Sequence, residues 1–61
     1  MDFTAEQKLK AVRREIAKRE GVYPRLVDRR LMTPEQMRYE IDVMRAIATD
    51  YSKEAAKDRL L

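Results

Sequence analysis

The sequence predicts an all-α protein built as an antiparallel helical hairpin with a short middle helix. Three observations carry this. Strong helix formers dominate a chain that has one Gly and two Pro. Two stretches open with the same helix-start chemistry. After each start, apolar residues return every three or four positions.

The two starts are Thr4-Ala5-Glu6-Gln7 and Thr33-Pro34-Glu35-Gln36. In each, the Thr hydroxyl is placed to accept from a first-turn backbone N–H while the Gln reaches back to the cap residue. The Glu complements the positive end of the helix dipole. Pro34 falls at the first helical position, where its missing N–H is not needed. Met32 and Met37 flank this second start as a hydrophobic staple. The two segments are not an internal repeat, because the apolar positions that follow fall out of register.

The first helix is expected from about Thr4 to Glu20, with Ala5, Leu9, Val12 and Ile16 on one face. Gly21, the single glycine, falls where a left-handed C-terminal stop belongs. Pro24 disfavours helix at Tyr23 and can begin a short second helix over 24–30. Its Leu26 and Val27, with Leu31, would close one end of the hairpin. The long helix is expected over 33–58, with Met37, Ile41, Met44, Ala48, Tyr51 and Ala55 on its seam. The short connection makes the two long helices antiparallel neighbours. Tyr23 and Tyr51 fall where packing tyrosines belong, with their hydroxyls at the solvent edge.

Size bounds what such a core can do. Sixty-one residues form a single domain, residues 1–61. Domains this small rarely draw more than about 3–5 kcal/mol from one core and usually add a disulfide, a metal or a partner chain. The chain has no Cys and no His, which leaves association as the reinforcement. Its 41% charged residues and 7% aromatics lean toward disorder. The 44% hydrophobic content and the regular spacing oppose that. No apolar run approaches the roughly 20 residues of a membrane span. Met1-Asp2-Phe3-Thr4 lacks the basic-then-apolar order of a signal peptide.

A second apolar stripe on the long helix exceeds what a hairpin needs: Tyr39, Val43, Ala46 and Ile47. Either the middle helix folds over it, or it is an interface with another copy or another protein. Two hairpins paired through it would form a dimeric helical bundle and enlarge the core. Tyr39, off the main seam, is the aromatic best placed to touch a partner.

Catalytic chemistry has little to work with. Ser52 has no His to act as its base. One Gly excludes a glycine-rich phosphate loop. Glu35 and Glu40, without His, do not make a metal set. No enzyme activity, cofactor or metal is expected. Most acidic residues are spaced against Lys or Arg as solvated pairs, such as Glu6/Lys10 and Glu15/Arg19.

Charge supplies the alternative reading. Net charge is +3. Residues 1–30 hold nine basic and five acidic residues, whereas residues 31–61 hold five and six. Lys10, Arg14 and Lys18 align on the first helix away from its seam, and Arg25, Arg29 and Arg30 would extend that surface. A basic stripe is the footprint of phosphate binding. Glu6, Glu15 and Glu20 dilute it, and no aromatic is spaced to lie within it. A solvated helix face is the plainer account of the same residues.

The runs KLKAVRREIAKREGVYPRLV (8–27) and MTPEQMRYEIDVMRAIATDY (32–51) resemble a family of short bacteriophage- and prophage-encoded proteins. The shared features are a basic helix, a Val-Tyr-Pro-Arg corner, a Met-Thr helix start and a Glu-Ile-x-x-Met-x-Ala-Ile-x-x-Asp-Tyr ending. Family members usually carry Gly shortly before Met-Thr, where this chain has Arg30-Leu31. The resemblance implies a phage context, in the cytoplasm of a bacterial host, and the binding of a host or phage macromolecule. The leading expectation is therefore a non-catalytic protein that binds a host or phage protein and self-associates. A nucleic-acid-binding accessory protein is the alternative.

Overall fold

In a computed structural model, which describes residues 2–60, two α-helices pack side by side. Helix α1 spans Ala5–Asp28 and α2 spans Pro34–Arg59. Both begin with a complete capping box. The Gln7 backbone N–H donates to Thr4 Oγ1 at 3.1 Å, and the Thr4 N–H donates to Gln7 Oε1 at 2.9 Å. Gln36 and Thr33 repeat this at 3.1 and 2.9 Å. Each box satisfies two backbone donors that a helix start otherwise leaves to solvent.

The separate middle helix expected over 24–30 is absent, because α1 runs unbroken through Gly21 and Pro24. The reason lies in the seam. Continued past Ile16, the 4–3 spacing of Ala5, Leu9, Val12 and Ile16 reaches Arg19, Tyr23 and Leu26. All three are half-buried in the hairpin. A stop at Gly21 would throw Tyr23 and Leu26 out of phase with this row. The continuous helix keeps them on it, at the cost of a proline in a helix interior. Gly21 takes no positive φ, so it does not act as a left-handed stop.

The left-handed stop occurs nine residues later. Arg30 has φ 59°. Its N–H donates to Val27 O at 3.0 Å, and the Leu31 N–H donates to Leu26 O at 2.9 Å. These two bonds define a Schellman motif with Arg30 in the position that favours glycine. Leu31 does not close the end of the hairpin as expected; it is 72% exposed.

The core is one line of contact. Ala5, Leu9, Ile41 and Ala55 are buried, and among the described residues no large side chain is fully buried. Val12, Ile16, Met37, Met44, Ala48 and Tyr51 are half-buried along the same seam. The molecule measures 48 × 19 × 16 Å, one helix hairpin long and two helices wide.

Two substitutions test this account by urea unfolding at fixed protein concentration. Gly21→Ala should raise stability by about 0.5–1 kcal/mol, since a helical Ala loses less chain entropy and its Cβ meets nothing within 4 Å. A left-handed stop at that position would give the opposite sign. Arg30→Gly should raise stability by about 0.5–1 kcal/mol, the left-handed penalty of a side chain less the added freedom of unfolded Gly.

Candidate interaction surfaces

Arg19 holds the centre of the seam. Its guanidinium donates to the Glu40 backbone carbonyl at 2.8 Å, to Glu15 Oε1 at 3.0 Å and to Glu40 Oε2 at 3.4 Å. It also lies over the Tyr23 ring, 5.9 Å from the centroid. The hydrogen bond to Glu15 raises its pKa against the opposing effect of burial, so it stays charged. A charge on a packed seam is tolerable because its stem packs while its head is bonded. The position looks like a surface residue in sequence, where Arg19 reads as a basic residue closing a helix.

Two further ion pairs cross between the helices. Arg45 meets Glu20 at 2.7 Å and Arg59 meets Glu6 at 2.8 Å. With the Arg19–Glu15 pair, they give all three α1 glutamates a cationic partner. Glu6 pairs across the hairpin with Arg59 rather than along its own helix with Lys10.

Once those glutamates are accounted for, the outer face of α1 carries basic side chains. Arg14 and Lys18 each lie two residues from Ile16, about 200° around the helix from the seam. Lys10 precedes Arg14 by one turn, and Arg25 follows Lys18 by nearly two whole turns. All four are exposed, and among the described residues none makes an ion pair. Arg29 and Arg30, also exposed, leave the helix in the closing turn. Asp28 ends the basic row.

An aromatic side chain does accompany the row. Phe3 is 61% exposed and, with Gln7, Lys10, Ala11 and Arg14, lines a shallow depression of about 450 Å³. Helical periodicity could not place it, because Phe3 precedes the capping Thr4. Its hydrophobic side chain just before a basic helix was the signal available.

The opposite side of the hairpin carries the second apolar stripe. Tyr39 and Val43 flank Ile41 by two residues each, so they point away from α1. Tyr39 is 66% and Val43 38% exposed; Ala46 is exposed too. Ile47 sits nearer the seam and is half-buried. Glu35, Arg38 and Asp42 join Tyr39, Val43 and Ala46 around a shallow depression of about 430 Å³. With no middle helix, nothing among the described residues folds over this stripe, so the middle-helix cover considered from sequence is not formed. Neither helix is long and apolar enough to cross a membrane. Among the described residues no cluster of acidic side chains is arranged to hold a metal.

The fold defines a two-helix hairpin with a basic face and an apolar face on opposite sides. No protein-family model, curated protein or solved structure matches the chain.

The seam contacts rank differently in energy. Arg19→Ala should cost about 1–2 kcal/mol in unfolding free energy, because it removes bonded charge and packed stem together. Arg19→Met, which restores an unbranched stem, should recover most of that loss. Arg45→Ala should cost under about 0.5 kcal/mol, since that pair is half exposed.

Proposed function

We propose that this protein is a small, non-catalytic interaction protein of phage or prophage origin. It acts in the cytoplasm of a bacterial host, pairs with a second copy of itself and binds a host or phage protein. The face for this is Tyr39, Val43, Ala46 and Ile47 on α2. The supporting observation is the exposure of that apolar stripe on a hairpin whose own seam fully buries no large side chain among the described residues. A chain of this size gains most from covering such a face with a like face. An isologous pairing of two α2 helices covers it on both copies and yields a four-helix bundle. Tyr39 provides the large, rigid contact area typical of interface anchors.

Light scattering after size exclusion tests the pairing. Wild type should elute with twice the mass of the chain, at low and at high salt. Val43→Glu should run as a monomer and lose any bound partner. A Val43→Glu protein with wild-type mass and wild-type partners would show that this face is not the interface.

A further inference from the structure

The outer face of α1 is a second surface, independent of α2 pairing. We propose that it binds single-stranded nucleic acid, with Lys10, Arg14, Lys18 and Arg25 along the phosphate backbone and one unpaired base stacked on Phe3.

The first support is charge. A solvated helix face normally mixes signs, and α1 contains Glu6, Glu15 and Glu20 that would do so. Glu6 and Glu20 pair across the hairpin with Arg59 and Arg45, and Glu15 pairs along α1 with Arg19. What remains outward is a row of unpaired cations bounded by Asp2 and Asp28. Lys10, Arg14 and Lys18 follow one another at about 6 Å along the axis, and Arg25 extends the row to about 22 Å. Such a row suits a polyanion with closely and evenly spaced charges and has no counterpart among the paired charges of the seam.

The second support is Phe3. Its ring is largely exposed and lines a depression that also includes Lys10 and Arg14. A cationic track beside an accessible aromatic face is the arrangement by which single strands are held without sequence readout. Bases in a duplex are stacked on each other and offer no free face to the ring, so the occupant is an unpaired strand. A purely electrostatic contact would have no use for Phe3.

Fluorescence anisotropy with a short, labelled oligothymidylate tests this on the whole chain. Wild type should bind at low salt, with log K falling against log salt at a slope of about −3 for four phosphate contacts. Lys10→Gln with Arg14→Gln should make the slope shallower by about 1.4. Phe3→Ala should weaken binding by about 5- to 150-fold with the slope unchanged. Lys53→Gln with Lys57→Gln on α2 should leave affinity and slope near wild type. All the altered side chains are exposed, and circular dichroism checks that the helices persist. Val43→Glu should still bind the strand, which separates this face from the pairing face. The proposal is overturned if wild type does not bind at low salt, or if the glutamine variant keeps the wild-type slope. It is equally overturned if Phe3→Ala binds as tightly as wild type, or if a duplex of the same length binds as well as the single strand.

Discussion

Two helices lying side by side share one line of contact, and that line limits everything else in this protein. It buries two alanines, one leucine and one isoleucine and half-covers the residues beside them. Neither helix has enough neighbours to hide a second row. Phe3, Val22, Leu31, Tyr39, Val43 and Leu60 are left exposed, and flanking charges pair across the line to frame it. The exposed stripe on α2 and the unopposed cations on α1 are two consequences of the same narrow seam.

Much of the fold is legible in sequence because its signals are local. A capping box needs four consecutive residues, and both boxes form as their residues imply. The α2 row from Met37 to Ala55 is uninterrupted by charge, so its 4–3 spacing can be followed to the end. The α1 row contains Arg19. Read as a charged surface residue, it ends the row at Ile16 and makes Gly21 and Pro24 look like a boundary. Read as a seam residue, bonded to a carbonyl on the other helix, it carries the row to Leu26. The distinction depends on a tertiary partner that only the folded hairpin supplies. Arg30 is the converse case. Neither its charge nor its size suits a left-handed turn, and the chain places it there because the Schellman bonds and the following Met-Thr start leave no other residue for the position.

The candidate surfaces were legible in part. The members of the α2 stripe and of the basic row follow from helical spacing. Their separation onto opposite sides does not, since it depends on which face each helix turns to the other. The pairing of Glu6 and Glu20 is also tertiary: from sequence they dilute the basic face, whereas in the hairpin each meets an arginine of α2; Glu15 pairs with Arg19 along α1, as its spacing implies. A net charge of +3 therefore understates how strongly positive one side of the molecule is, because opposite charges cancel in a sum regardless of where they point.

The five residues between the helices, 29–33, have a kinetic consequence. Closing so short a connection takes a small fraction of a microsecond, and helices of this length form on a similar or slightly slower scale. Seam contacts nearest the turn close the shortest loops and are expected to form before those at the open end. Topologies dominated by local contacts cross low barriers in both directions. The lone hairpin should thus open and re-form many times in the interval between encounters with another molecule. Whatever docks on either side would slow the opening step and lengthen the lifetime of the folded chain.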